Sequence, residues 1–493
     1  MANESLVIVG GGLAGLAAGC YARTNGFATT IVEHNIALGG VCTAWSRGPY
    51  TIDGCIQWLT GGPFDLLYEE LGIFPKVSVH TLQTFVSYRD VNRSARVDVT
   101  RDLDALGRAL LDLGPEDGAE IARIIEGATA ITRLEPPFER PAELTSLRDA
   151  LASLWEMRGE LSTLLHFRKP VGEYVTAHLQ SRALRQFFSS IFPAEAPMLF
   201  LLMTFGYLSK GWLSRPDGGT ARFRDALIDS YRSLGGETRL HATVDEIVVE
   251  GERARGVVLS DGTMIRADHV VSTASAPETV LRLLGGRYGA DELQQRLDSW
   301  KLFTPIVLVS FGVERDLAGV SPTLLLDGIE PMRVGQYTNK QLLVRIFNDD
   351  ARLAPPGHTV VQTTLNTDYD YWATRGTAYN AEKDALAEQV QRRLEQQLPA
   401  LRGAVRVVDV ATPLTFWGMA RSWRGAYEGW MPSAPSLLSH VQKRLPGLSG
   451  FYMAGQWVEP GGGVPMALMS GRQVVQLLCE DTKRGFQSRV RAT

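Results

Sequence analysis

SLVIVGGGLAGLAAGCYARTNGFATTIVE, residues 5–33, decides the fold of this chain. SLVIV is a short β-branched apolar run of the kind that forms a strand buried on both faces of a parallel sheet. It leads into Gly10, Gly12 and Gly15, spaced GxGxxG, and then into LAAGCYARTNG, whose helix formers carry an apolar face. ATTIVE closes the unit as a second strand ending on Glu33. The glycines differ in what they allow, since Gly10 makes the tight turn, Gly12 lets backbone approach a pyrophosphate, and Gly15 lets the helix pack on the strand. Gly10, Gly11, Gly12, Leu13, Ala14 and Gly15 are therefore the expected cofactor loop, with the helix N-terminus facing the phosphates. Glu33, 18 residues beyond Gly15, is placed to take ribose hydroxyls, with His34 beside it. An acid at the strand end disfavours a 2′-phosphate, so FAD or NAD is expected here rather than NADP.

The rest of the composition limits what that motif can mean. A chain of 493 residues suggests several domains, and 45% apolar against 21% charged residues supplies a large interior. Lys plus Arg number 50 against 54 Asp plus Glu, so no basic field recommends nucleic acid as a partner. Cys20, Cys42, Cys55 and Cys479 show no CxxC spacing, which speaks against structural zinc and against a disulfide scaffold. Eight scattered His residues and no GxSxG elbow give little support to a metal or serine hydrolase, and no metal is expected. MANES carries no positive n-region, so a cytoplasmic protein is expected. The apolar stretch PMLFLLMTFGYL, 197–208, falls short of the ~20 residues a spanning helix needs. It reads either as a membrane-dipping entrance for lipid substrates or as a buried core helix, which leaves peripheral membrane contact open.

Gly39 and Gly40 follow Glu33 inside HNIALGGVCTAWSRGPYTIDGC, 34–55. At the other end lies GFYMAGQWVEPGGGVPMALMSGRQVVQLLC, 450–479: a strand, a Gly/Pro-rich crossing from Pro460 to Pro465, and a helix that Pro465 suits in its first turn. With RPDGGTARFRDALIDSYRSLGG, 215–236, these stretches resemble the phytoene-desaturase-like flavoproteins of the amine-oxidase-type superfamily. That group includes carotenoid desaturases, carotene isomerases and the retinol saturase type. The resemblance implies FAD, with Gly39 and Gly40 close to the diphosphate, Val244 against the adenine, and Gly455, Gly463, Val464 and Pro465 completing the cofactor site. Val41 stands where an arginine often does, so an arginine contact at that position is not implied. A helix N-terminus aimed at the flavin pyrimidine edge would stabilise the negative charge of the reduced ring.

The implied fold class is α/β: a Rossmann-like FAD-binding domain of the p-hydroxybenzoate-hydroxylase-like kind, interleaved with a mixed-sheet substrate domain and a helical insertion. Residues 76–100 alternate apolar and polar and read as strands. From 101 to 208 the pattern is helical, broken at PPFERP (136–141) and at Lys169-Pro170. A helix from about 220, a strand with hairpin from RLHATVDEIVVE and the buried strand HVVSTA return to α/β character. TPIVLVSFGV, LLVRIF and TVVQTTLN, with the helix AEKDALAEQVQRRLEQQL, read as the main substrate sheet. The expected division is 1–75, 210–290 and 430–493 for FAD, 76–100 and 291–429 for the substrate sheet, and 101–209 for the helices.

Hydride removal from a C–H bond asks the protein for orientation and a dry cavity, because the cofactor supplies the electron sink. Gln57 and Trp58 in CIQWLTGG, and Trp457 and Glu459 in GQWVEP, lie beside cofactor elements and are the catalytic candidates. The two tryptophans read equally as packing residues, Glu459 as a solvated or capping group, and Asp53 as a turn former. FWGMARSWRGAYEGWMP, 416–432, either lines an apolar tunnel or bridges the substrate sheet to the FAD fold. The basic tail KRGFQSRVR, 483–491, reads as a solvated terminus or a contact to anionic lipid. The expected function is FAD-dependent desaturation, saturation or isomerisation at carbon–carbon bonds of a hydrophobic, isoprenoid or polyene-like substrate. Alternatives are a flavin amine oxidase or specialised-metabolite dehydrogenase acting on a C–N bond or ring, and a non-catalytic flavin carrier. Dioxygen, a quinone or a redox partner is the expected electron acceptor or donor. Oligomeric state is not legible.

Overall fold

The computed structural model describes residues 4–488, apart from 135–139, 147, 150, 151, 153, 154, 156, 434, 435, 437, 438 and 440. Strand β1 (Ser5–Val9), helix α1 (Leu13–Thr24) and strand β2 (Ala28–Val32) form the expected unit. β1 pairs in parallel with β2, Val7 opposite Thr30, and on its other side with His269–Ser272, Val7 opposite Val270. Glu237–Arg239 and Phe451–Met453 extend the edges to five parallel strands. Such strands need crossovers, and here these are long: the chain leaves after β2 and returns only near 237, 269 and 451.

The C-terminal helix Gly463–Asp481 lies on α1. A Cβ on Gly471 would stand 2.6 Å from the Ala14 carbonyl oxygen, so the two backbones touch where only glycine fits. This contact joins the two ends of the chain beside the first glycine loop.

A second sheet has seven strands, in the order Val405–Ala411, Ile306–Val313, Thr359–Asn366, Tyr337–Ile346, Thr323–Val334, Thr84–Asp90 and Ala95–Thr100. It is mixed: Thr84–Asp90 runs parallel to Thr323–Val334, and the other neighbours are antiparallel. Alternation decides its faces. Val309, Phe311, Val344 and Val361 pack with Leu386, Val390 and Leu394 of helix Tyr379–Gln397, while Leu308, Leu325, Leu343 and Gln362 face a cavity. Val79–Thr81 departs from the strand pattern read over 76–100. Its three exposed residues pair with Leu213–Pro216 in a separate small sheet, which is closer to hand than the seven-stranded one.

The PPFERP break lies largely outside the described residues, as does the end of the basic tail. At Lys169-Pro170 a new helix begins, Val171–His178, with Pro170 at its cap position. PMLFLLMTFGYL becomes the helix Met198–Lys210, in which Leu201, Leu202, Phe205 and Leu208 are fully buried. Most of this helix is buried, as the core-helix reading expects, with Phe200, Met203 and Tyr207 turned to a cavity. No helix of the described residues is long and apolar enough to cross a membrane. Folding also brings together Glu120, His166 and His178, whose ligand-type atoms lie within 4.8 Å of one another. The Glu120 carboxylate is taken by the Tyr174 hydroxyl, His166 Nε2 at 3.0 Å and Arg123 at 2.6 Å, so the group ties three helices as a hydrogen-bond network.

Candidate active site

One cavity of about 1070 Å³ runs from the loop after β1 to the face of the seven-stranded sheet. Gly10, at φ 98°, makes the turn and donates its N–H to the Val32 carbonyl at 2.9 Å. Gly39 donates to the Gly11 carbonyl at 2.8 Å, and a Cβ on Gly40 would stand 3.1 Å from Gly12 Cα. The two glycine clusters are therefore in contact. Gly12 opens α1 with no side-chain cap, and the nearest atom a Cβ there would meet is Gly40 Cα at 3.9 Å. The first turn of α1 thus presents free N–H groups and positive dipole to open space, an anion cradle by construction.

Gly10, Gly12, Leu13, Ala14, Gly39, Gly40 and Val41 line the cavity. Gly11 and Gly15 are packed closely against protein, Gly15 as expected for a helix resting on a strand. A Cβ on Gly15 would collide with the Gly10 carbonyl oxygen at 2.1 Å, and one on Gly11 with Leu38 at 2.3 Å.

At one end the wall carries Glu33, His34, Val244 and Arg421. Burial pushes the Glu33 carboxyl up, but hydrogen bonds from His34, Asn35 and the Gly11 N–H outweigh it and hold the group below the usual range. It is an ionised acceptor at the tip of β2. His34 Nδ1 lies 2.8 Å from Glu33 Oε1, and this bond raises the imidazole above its ordinary value. The Gly418 carbonyl lies 3.3 Å from His34 Nε2, which ties this end to the chain just before Arg421.

At the other end the hairpin Ala44–Arg47/Tyr50–Asp53 delivers Cys55, Gln57 and Trp58 to the wall. Asp53 is more than a turn former: its buried carboxylate accepts from Thr220 N and Oγ1 at 2.7 and 2.5 Å, locking the hairpin to helix Gly219–Ser233. Burial raises its carboxyl despite these bonds. Trp58 stands edge-on to Phe85 at 5.1 Å, and Gln57 gives its carbonyl to Arg215. A hydrogen bond to Cys42 and burial push the Cys55 thiol well up, so it stays protonated.

The segment 455–467 closes the site. Gly455, Trp457, Gly463, Val464 and Pro465 line the cavity, and Gly455 N–H is fixed by Ser470 Oγ at 2.7 Å. Trp457 packs edge-on against the fully buried Trp430 at 5.0 Å. Glu459, 19% exposed, lies off the cavity wall and pairs with the buried Lys443 Nζ at 2.6 Å. The stretch 416–432 divides between wall and scaffold. Phe416, Tyr427 and Glu428 line the cavity, whereas Trp417 and Trp423 pack on each other and Trp430 bridges to Trp300 and Trp457. The remaining wall is apolar: Phe200, Met203 and Tyr207 from the core helix, and Ile306, Leu308, Leu325 and Leu343 from the sheet. A polar strip of Arg345, Gln362 and Thr364 crosses that sheet face.

Residues 13–479 match the model of the flavin containing amine oxidoreductase family. The chain belongs to that family. Among its relatives, the lycopene-forming phytoene desaturase of Pseudescherichia vulneris is 22% identical over 97% of this chain and 99% of its own. The chloroplastic prolycopene isomerase of Arabidopsis thaliana is 22% identical, covering 99% of this chain and 85% of its own. The cyclohexylamine oxidase of Brevibacterium oxydans has the same fold, with a TM-score of 0.62 at 16% identity over 98% of this chain and 100% of its own.

This member of the flavin containing amine oxidoreductases is an FAD-dependent oxidoreductase. Its residues fit the cofactor: an uncapped helix N-terminus over a glycine with room for phosphate, an ionised carboxylate at the strand tip, and a second uncapped helix start at Gly463. When bound, the flavin supplies a two-electron sink or source. The chain supplies orientation and exclusion of water.

Among the wall residues that the sequence reading did not single out are Arg421, Tyr427 and Glu428, which it placed only within the stretch 416–432. Nothing in their spacing marks them, in a segment that turns through left-handed backbone at Arg421, Arg424, Gly425 and Gly429. Glu428 is open to the cavity but enclosed by protein, and burial pushes its carboxyl up to about 7. A raised carboxyl pKa means that folding favours the protonated form. Its stability contribution is complete below the unfolded value and is lost as pH rises through about 7. In the flavin-free protein, Glu428→Gln is expected to raise unfolding free energy above pH 7 by at most about 3 kcal/mol, with no difference near pH 4. Urea titrations of both proteins at the two pH values measure this; equal midpoints at pH 8 would contradict it.

Proposed function

We propose that this protein is an FAD-dependent oxidoreductase that introduces, removes or isomerises carbon–carbon double bonds in a hydrophobic, isoprenoid or polyene-like substrate. One observation carries the reading: the glycine cradle and the apolar walls of Phe200, Met203, Tyr207, Leu308, Leu325 and Leu343 belong to one continuous cavity. The relatives' own names, phytoene desaturase and prolycopene isomerase, lend support. In this reading Gly12, Leu13 and Ala14 take the diphosphate, and Glu33 takes ribose hydroxyls. Val244 lies on the adenine, Gly39, Gly40 and Val41 flank the diphosphate, and Gly463 to Pro465 face the flavin ring. Residues 1–75, 210–290 and 430–493 form the FAD-binding domain, and the seven-stranded sheet and helices 101–209 form the substrate side. Dioxygen, a quinone or a redox protein exchanges electrons with the flavin, in the cytoplasm or at a membrane surface.

The test is anaerobic flavin spectroscopy with a panel of polyenes, retinoids, fatty acyl compounds and amines. Polyenes or other isoprenoids are expected to bleach the oxidised flavin or to reoxidise the reduced one. A panel in which only amines do so would replace this reading with C–N oxidation. Filling the apolar end offers a second check. Met203→Trp is expected to leave FAD content unchanged while lowering the rate with a long polyene at least tenfold, because the added ring occupies substrate volume (about 1.4 kcal/mol per tenfold).

A further inference from the structure

Four carboxylates line the cavity: Glu33, Glu195, Glu278 and Glu428. Three are satisfied. Glu33 accepts from Gly11 and Asn35 backbone, Glu195 pairs with Lys301 at 3.1 Å, and Glu278 with Arg282 at 2.7 Å. Glu428 has no hydrogen-bond or ion-pair partner among the described residues, and burial is the single influence on its proton affinity. Cavity cations do not offset it, since Lys301 and Arg282 are paired as above and Arg215 and Arg345 share Asp349. Arg421 stands at the opposite end, close enough to His34 to lower its proton affinity. The titratable groups that face Glu428 are Tyr427 and Cys55, and the Glu428 charge disfavours ionisation of both.

The side chain is also held in place. A Cβ on Gly462 would lie 2.7 Å from Glu428 Cβ and 3.1 Å from its Cγ, so the acid packs on the residue that caps the C-terminal helix. Tyr427, next to it, rests its ring on Phe303 and Phe416 at 6.0 and 6.3 Å. An unpaired carboxyl costs several kcal/mol of desolvation when ionised, and folds retain such groups chiefly where they act.

We propose that Glu428 is the catalytic residue that exchanges a proton with the substrate. The inference rests on the carbon–carbon chemistry proposed above. Forming a C=C bond removes two hydrogens from adjacent carbons. One would leave as hydride, with its electron pair, to the flavin that the cradle of Gly12, Leu13 and Ala14 would hold. The other leaves as a bare proton, its C–H electrons become the π bond, and Glu428 carboxylate accepts it before passing it to solvent. Run backwards, the acid form delivers the proton. In isomerisation, protonation at one carbon and deprotonation at another balance with no net oxidation. A hydrocarbon has no basic atom of its own, and of the four carboxylates on the cavity wall Glu428 is the one without a partner among the described residues, so it is the acceptor the wall offers.

Glu428→Gln keeps the shape and removes the acid. Its turnover is expected to fall at least 100-fold, with FAD content unchanged and the limb of the pH–rate profile near 7 abolished. A variant with wild-type rate and wild-type profile overturns the proposal. A readout that needs no substrate runs in parallel: the flavin midpoint potential as a function of pH. In wild type the plot is expected to carry a bend near 7 that Glu428→Gln lacks, over and above any bend that the reduced flavin's own N1 proton gives to both. If no isoprenoid reacts with wild type, the substrate reading fails. Glu428 is then judged by that additional bend: present in wild type and absent in the variant, it keeps the proton-exchanging role; absent from both, it ends it.

Discussion

Replacing Gly12 with valine is expected to yield a folded, colourless protein. Gly12 has φ −71° and ψ −177°, ordinary extended backbone that any L residue adopts, so valine introduces no strain. A Cβ there meets nothing closer than Gly40 Cα at 3.9 Å, so the first atom of a side chain has room in the flavin-free fold. What it fills is the space over the first turn of α1, where a diphosphate would sit. FAD affinity is expected to fall at least 100-fold, about 3 kcal/mol, through overpacking and lost contact with the helix N-terminus. Flavin titration and unfolding of the flavin-free protein measure the two halves separately. A yellow variant with wild-type affinity would end the assignment of this loop to the diphosphate. Gly15→Ala is the counterpart: its Cβ would meet the Gly10 carbonyl at 2.1 Å, so it is expected to lose stability in the absence of flavin too.

The second large effect concerns the clasp between the chain's two ends. Arg472 on the C-terminal helix donates to Glu70 from Nε at 2.8 Å and from Nη2 at 3.2 Å, and the Tyr21 hydroxyl of α1 donates to the same carboxylate at 2.6 Å. Glu70 is 3% exposed and Arg472 9%, so neither charge has water to fall back on. Arg472→Met strands a buried carboxylate and is expected to cost about 3–5 kcal/mol of unfolding free energy. The double variant Glu70→Met/Arg472→Met should recover most of that, because the desolvation cost leaves with the charges. Equilibrium denaturation of both reads the coupling. A single variant that loses under about 1 kcal/mol, within the range of an exposed pair, would show that the clasp is not what fastens the helix.

The legible parts of the site were those coded by neighbours in sequence. GxGxxG, the strand before it and Glu33 after it lie within one β-α-β unit, so spacing alone carries their geometry. Gly39 and Gly40 lie beyond β2, and their expected place beside the diphosphate came from the family resemblance. Glu459 misled because an acid in a Gly/Pro crossing resembles a free group, and its partner, the buried Lys443, lies 16 residues away. Asp53 was underestimated because its donor Thr220 sits 167 positions away. Glu428 carried no signal at all. Its meaning comes from what is missing around it, and the absence of a partner is a property of packed space.

The nucleotide-type unit was set by the residue order alone, because period and glycine spacing are local quantities, whereas the flavin and its apolar substrate were legible only through the resemblance of three stretches to a known family. Only three-dimensional packing decided which acids are spent on partners and which one is left facing the cavity. It also decided that PMLFLLMTFGYL is a core helix, and that the aromatic residues of 416–432 divide between wall and scaffold. The physical reason is that burial and pairing depend on residues brought together from β1, the seven-stranded sheet and the C-terminal helix, and no spacing along one segment records them.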